Sequence, residues 1–169
     1  KAKSRHEKVD LTKDQGGWEV VGPSPVPFNS EWAKPHELTI PEIKEIQEKF
    51  RAATQRSIKA GFKWLELHAA HGYLLNSFYS PLANFRTDEY GGSFENRIRF
   101  VVETARILRK EWPAQYPMSV RISATDWVEG GWTIDDSVKL AKILKAEDID
   151  VIDCSSGSVR SGDRYPFAP

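Results

Sequence analysis

The stretch Leu65-Glu66-Leu67-His68-Ala69-Ala70-His71-Gly72-Tyr73 opens as a strand with two unlike faces. Leu65 and Leu67 share one face, Glu66 and His68 the other, because successive side chains on a strand point to opposite sides. Two later stretches repeat the pattern. In residues 118–124, Val120 and Ile122 oppose Ser119, Arg121 and Ser123; in residues 150–155, Ile152 and Cys154 oppose Val151, Asp153 and Ser155. Strands covered by helices on both sides read as nearly continuous apolar runs. These strands carry one apolar face for helices and one polar, charged face, which suits a barrel whose polar faces converge on its axis near a ligand. Glu66, Arg121 and Asp153 are placed there to offset one another's burial. By the same parity Cys154 points to the helices and reads as an inert buried thiol.

Helices fill the intervals. Thr39-Ile40-Pro41-Glu42 has the form of a capping box, with Leu38 and Ile43 as a hydrophobic staple. Ile43, Ile46, Phe50 and Ala53 mark one helical face, Gly61 is a C-terminal stop, and a strand is expected over 62–68. Ser93 caps a second helix with Ile98, Val101, Val102, Ala105 and Leu108 as its stripe, and Pro113 and Pro117 bound its exit. Thr133 and Asp136 start a third helix, carrying Val138, Ala141 and Leu144. Helix and strand alternate three times, so a mostly parallel sheet with right-handed crossovers is expected. A closed eight-fold barrel needs ~250 residues. The 169 residues supply about three strands and three helices of one. The expected class is therefore α/β, a partial (β/α)8 TIM barrel, with residues 39–169 as the central part of the barrel domain and residues 1–38 as an irregular loop segment. Residues 1–14 are charged without an apolar period and read as mobile surface. Gly22-Pro23-Ser24-Pro25-Val26-Pro27-Phe28, flanked by Trp18 and Trp32, reads as an ordered extended loop lying over something apolar.

Composition narrows the function classes. Lys plus Arg is 24 and Asp plus Glu is 24, a balance at zero that argues against a nucleic-acid grip or a polybasic membrane anchor. No run approaches the ~18 apolar residues of a membrane span. Cys154 is alone, so a disulfide framework is excluded. One cysteine and no targeting segment fit a reducing, cytoplasmic location.

The chemistry gathers where the first strand ends, the end at which parallel barrels build their sites. His68, His71 and Tyr73 can surround one small polar atom, the imidazoles donating to a carbonyl, nitro or phenolate oxygen. A phenol, with a pKa near ~10 in water, keeps its proton at neutral pH yet can protonate a developing carbanion. The competing reading makes them satisfied core or cap residues. A metal reading also exists, with His68 and His71 joined by Glu66 or Asp153, although no His-Glu-x-x-His pattern is present. Arg121, on an inward strand face, needs an anionic or strongly accepting partner: Glu66 or Asp153, or a bound heterocycle carrying negative charge. Residues 80–97 are rich in turn formers and alternating charge, with Gly91 and Gly92 permitting positive φ and Ser93 capping a helix, and they read as scaffold. Asp126-Trp127, after the second strand, is placed to line the pocket.

At these residues the sequence resembles the Old Yellow Enzyme family of flavin-dependent ene-reductases. The resemblance is carried by His68-Ala69-Ala70-His71-Gly72-Tyr73-Leu74, by Ser80-Pro81-Leu82-Ala83-Asn84 with Arg86-Thr87-Asp88-Glu89-Tyr90-Gly91-Gly92-Ser93-Phe94-Glu95-Asn96-Arg97, by Val120-Arg121-Ile122-Ser123-Ala124, and by Asp153-Cys154-Ser155-Ser156-Gly157. The two-histidine form points to the branch related to xenobiotic reductases. The resemblance implies an FMN-binding (β/α)8 barrel that takes hydride from NADPH or NADH and reduces the activated C=C bond of a small electrophilic alkene. By position, His68 and His71 would bond the substrate's activating oxygen, Tyr73 would be the proton donor, and Arg121, with His68, would face the flavin. Asn76 stands where relatives often have a larger polar residue, which leaves substrate preference open. The family segments that hold the FMN phosphate follow its seventh and eighth strands and lie outside this sequence, so this chain alone is expected not to retain FMN. A homo-oligomer, or the remaining half of the barrel, is the expected protein partner. Two other readings stand beside this one: a metal-dependent barrel lyase or hydrolase using the histidine pair, and a non-catalytic barrel fragment.

Overall fold

The structure is a computed structural model that describes residues 2–4, 7–157 and 159. The first strands, β1 (Ala2–Ser4) and β2 (Glu7–Asp10), pair antiparallel, so the segment read as mobile surface contains a hairpin. Two two-residue strands, β3 (Val21–Gly22) and β4 (His36–Glu37), pair in parallel and draw together the ends of the loop between them, giving residues 1–38 more regular structure than expected. From there the chain runs α1 (Ile40–Lys59), β5 (Leu65–Ala69), α2 (Leu74–Tyr79), α3 (Phe94–Glu111), β6 (Met118–Ser123), α4 (Ile134–Ala146) and β7 (Val151–Ser155).

Strands β5, β6 and β7 form one parallel sheet in chain order. Its register places Leu67, Val120 and Ile152 on one rung and His68, Arg121 and Asp153 on the next. The apolar rungs face the helices. Leu67, Ala69, Met118, Val120 and Ile122 are buried in one core with Ile43 of α1, Phe100, Val101 and Ala105 of α3, and Leu140 and Leu144 of α4. Thr39 and Glu42 form the expected box: the Glu42 carboxylate accepts from the Thr39 amide at 2.7 Å, and the Thr39 hydroxyl accepts from the Glu42 amide at 3.4 Å. Ser93 caps α3, and Thr133 with Asp136 boxes α4. This is a segment of a (β/α)8 barrel, as the strand parity implied.

Several details depart from expectation. Strand β5 starts at Leu65 and not at residue 62, leaving Phe62 and Trp64 exposed. Its partner β6 begins only at Met118, which faces Leu65, so residues 62–64 have no strand to pair with. Helix α4 turns Ser137, Leu140 and Leu144 inward and leaves Val138 exposed, because the inward row is set by spacings of three and seven from Ser137. Cys154 is exposed, not buried: β7 is an edge strand, and no described helix follows it to cover that side. The short α2 had no expectation at all. It buries Leu75, Phe78 and Tyr79.

Residues 80–97 are scaffold, as read. Arg86 is buried and donates to the Pro23 carbonyl at 3.1 Å and the Leu38 carbonyl at 2.5 Å. Its other face forks onto Asp88, with Nε 3.0 Å from Oδ1. Gly91 packs directly on it, since a Cβ there would lie 2.3 Å from the Arg86 carbonyl oxygen. Asn84 donates to the Phe78 and Tyr90 carbonyls at 2.6 and 2.8 Å, closing the loop on itself. One guanidinium therefore joins both ends of residues 23–38 to the α2–α3 connection. Replacing Arg86 with Met strands two buried carbonyls and one carboxylate, and is expected to cost about 3 kcal/mol in urea unfolding. Arg86→Lys should recover only part of that, because an ammonium cannot reproduce the fork.

Candidate active site

The site is built where β5, β6 and β7 end. After Ala69 the chain reverses through two successive left-handed residues, His71 (φ 61°) and Gly72 (φ 72°), into α2, with Tyr73 at its N-cap. A non-glycine residue there costs roughly 1–2 kcal/mol, and three bonds hold it. The Ser123 hydroxyl accepts from the His71 amide at 2.8 Å, and the Asn76 side-chain carbonyl accepts from the Gly72 amide at 2.8 Å. The His71 ring Nε2 sits 2.5 Å from the Ser155 hydroxyl on β7. Gly157 closes over the turn so tightly that a Cβ would lie 2.4 Å from the His71 Cα. The product is a converged trio. The His68 ring lies 5.2 Å from His71 and 5.5 Å from Tyr73, centroid to centroid, and Tyr73 is 65% exposed.

Tyr79 fastens the two strand ends beneath this trio. Its hydroxyl donates to the Ala69 carbonyl at 2.9 Å and accepts from the Ser123 amide at 2.9 Å. Burial pushes its phenol far up, so it acts as a neutral clasp. Neither Tyr79, Ser123 nor Ser155 stood out in sequence as a functional support; only the match of 120–124 and 153–157 to family motifs pointed near two of them. Asn76 is fully buried and serves the Gly72 turn.

Arg121 stands on the same rung as His68 and Asp153. Its Nε lies 3.2 Å from the Asp153 carboxylate, and Nη2 makes a long 3.5 Å contact with the Ser155 hydroxyl. Glu66 is not part of this group. It accepts from the Ser119 hydroxyl at 2.8 Å, which in turn accepts from the Trp64 indole at 3.0 Å. That leaves the histidine pair without a third ligand: among the described residues no group of three or more His, Cys, Asp or Glu side chains is placed to hold a metal ion. Asp126 is also corrected. It is buried, accepting from the Ser80 hydroxyl at 2.6 Å and the Trp132 amide at 2.7 Å, and so braces the β6–α4 loop without lining a pocket.

Partial burial holds the His68 imidazole below its usual pKa, helped by the neighbouring His71 and the Arg121 cation and opposed by Glu66. A neutral His68 has one N–H to donate. Arg121 Nε is buried and, although close to Asp153, has no hydrogen bond in line. A fixed cation with an unused donor, beside the His68 imidazole at the strand ends, fits the electron-accepting edge of a flavin ring. A cleft of about 600 Å³ opens alongside, walled by residues 20–35 on one side and by His71, Gly72, Tyr73, Leu74, Ser77 and Ala83 on the other. No described helix is long and apolar enough to cross a membrane.

The fold and the site together define a class: a barrel protein whose polar side chains gather at the C-terminal ends of its parallel strands. Residues 2–163 match the NADH:flavin oxidoreductase / NADH oxidase family, and the chain belongs to that family, the Old Yellow Enzyme group. An NADPH dehydrogenase of Bacillus velezensis is 46% identical over 149 residues, covering 88% of this chain and 44% of that protein. Among solved structures, a 2-naphthoyl-CoA reductase in complex with 2-naphthoyl-CoA superposes with a TM-score of 0.79 at 35% identity, over 84% of this chain and 22% of that one. The Old Yellow Enzyme homologue of Zymomonas mobilis gives 0.77 at 25% identity, over 94% and 48%. This chain spans less than half the length of each of these three proteins.

The electrostatics make a checkable statement. In an NMR titration His68 should protonate at a pH below the ordinary histidine midpoint. Arg121→Met should raise that midpoint, because a repelling cation is removed, and Glu66→Gln should lower it further, because an attracting anion is removed. Opposite movements would contradict the arrangement.

Proposed function

We propose that the protein is an FMN-dependent oxidoreductase that takes hydride from NADPH or NADH and reduces the activated C=C bond of an enone or related small electrophile. Residues 39–169 would be the central part of its barrel domain. The observation that carries the reading is the convergence of His68, His71 and Tyr73 within ring-contact distance beside Arg121. The names of the relatives, NADPH dehydrogenase and NADH:flavin oxidoreductase, support the nicotinamide-to-flavin part of that activity.

FMN, when bound, supplies the hydride. Arg121 and His68 are the residues that would hold its ring, the guanidinium beside the edge that gains negative charge, since this cation cannot be neutralised by losing a proton. The histidines act on the substrate. An imidazole N–H aimed at a carbonyl or nitro oxygen draws electron density from the conjugated carbon and stabilises the charge that develops on that oxygen. The neutrality of His68 matters here, because a neutral ring donates without carrying a second cation beside Arg121. Tyr73 holds the proton destined for the carbon next to the activating group, and its exposure lets water restore that proton afterwards. The left-handed turn at His71 and Gly72 sets the phenol and the imidazoles at one opening, so that both charge stabilisation and proton delivery act on a single bound molecule.

The test separates the half-reactions of the flavin-loaded protein. Tyr73→Phe should slow reoxidation by an enone about 10²- to 10⁴-fold while leaving the bleaching of the flavin by NADPH nearly unchanged in stopped-flow absorbance. Equal slowing of both would remove Tyr73 from the donor role.

A further inference from the structure

We propose that the tip of the 20–35 segment, through Phe28 and Trp32, is a binding subsite for the neutral apolar ring body of the substrate, placed beyond the atoms that react. The inference rests on the function proposed above for His68, His71 and Tyr73, and adds what that function leaves open, namely which substrates are preferred.

The cleft that meets the catalytic trio is mostly apolar. Its far wall carries Val26, Phe28 and Trp32, its near wall Tyr73, Leu74 and Ala83. At about 600 Å³ it lies within the ~300–1,000 Å³ of small-molecule sites. Among the described residues no Asp, Glu, Lys or Arg lines it. With no Lys or Arg among its described lining residues it offers little to a dinucleotide's phosphates, so a neutral ring suits this cleft better than the hydride donor does. His71 and Tyr73 belong both to the trio and to the cleft wall, so a molecule held at the trio extends into the cleft without a break.

The wall is built to stay in place while its tip stays open. Pairing of β3 with β4 closes the base of the segment, Arg86 holds the Pro23 and Leu38 carbonyls, and the Ser24 hydroxyl accepts from the Phe85 amide at 2.9 Å. Pro23, Pro25 and Pro27 stiffen the ascending limb. At the tip Phe28 and Trp32 pack edge to face, 5.8 Å between centroids, yet remain 41% and 37% exposed. Two fixed aromatic rings left in water beside a reactive site gain by covering an apolar ligand, and they lose little entropy in doing so.

The experiment compares cyclohexenone with its phenyl-substituted analogue, which shares the reacting unit and adds one apolar ring. In the flavin-loaded protein, Trp32→Ala and Phe28→Ala should each raise KM for the phenyl analogue about tenfold. The same variants should leave kcat, the KM for cyclohexenone and flavin bleaching by NADPH nearly unchanged. Trp32→Phe should keep most of the preference. Equal losses for both enones, or none for either, would overturn the subsite. Calorimetric binding of the two enones to the oxidised protein gives a readout independent of turnover. If the wild-type protein reduces neither enone, the proposed function fails. The subsite still stands if the phenyl analogue binds more tightly and the two alanine variants lose that preference, and falls if they keep it.

Discussion

Parallel pairing in one register is the constraint on which the rest depends. Because side chains alternate along a strand, the rung that sets His68 beside Arg121 and Asp153 exists only if β5, β6 and β7 align as they do. A slip of one residue would send Arg121 into the helical layer and Ile122 into the polar face. Leu67, Val120 and Ile152 on the neighbouring rung oppose that slip, since burying them against the helices is favourable and burying an unpaired guanidinium is not. The core thus sets the geometry of the chemistry without contributing a reactive atom to it.

The strand ends convert this register into a site. Tyr79 clasps β5 to β6 through the Ala69 carbonyl and the Ser123 amide, and Ser123 and Ser155 then reach His71 from the two later strands. The left-handed His71 is tolerated because those partners and Asn76 outweigh its backbone cost. Side chains from three strands and one short helix therefore converge within a few ångströms. Much the same logic governs the 20–38 segment. It has little core of its own, and a buried arginine from a distant loop supplies the attachment that a longer strand pair would otherwise provide.

Much of the fold was legible from local chemistry. The box at Thr39, the helix start at Thr133 and Asp136, the Ser93 cap and the stripe from Ile98 to Leu108 rest on contacts between near neighbours in the chain, and they form as read. The trio was legible too, because His68, His71 and Tyr73 lie within six residues at a strand end. The misread positions share one cause. Glu66, Asp126 and Cys154 each take their role from a residue far away, or from the lack of covering structure at the sheet edge, and spacing says nothing of either. Tyr79 is the sharpest case: an ordinary aromatic in a short apolar hexamer, made a clasp by two backbone groups that lie 10 and 44 residues away.

By itself, then, the sequence determined the alternation of helix and strand, the division of each strand into an apolar and a polar face, and the grouping of two imidazoles and a phenol at one strand end. These follow from periodicity and from the intrinsic chemistry of side chains, which are local properties. Only the tertiary structure decided that Asp153 and not Glu66 stands by Arg121, and that an aromatic edge from residues 20–35 faces Tyr73 across a cleft. Those outcomes depend on which distant groups the register and the buried arginine bring into contact, and no local pattern encodes a distance through space.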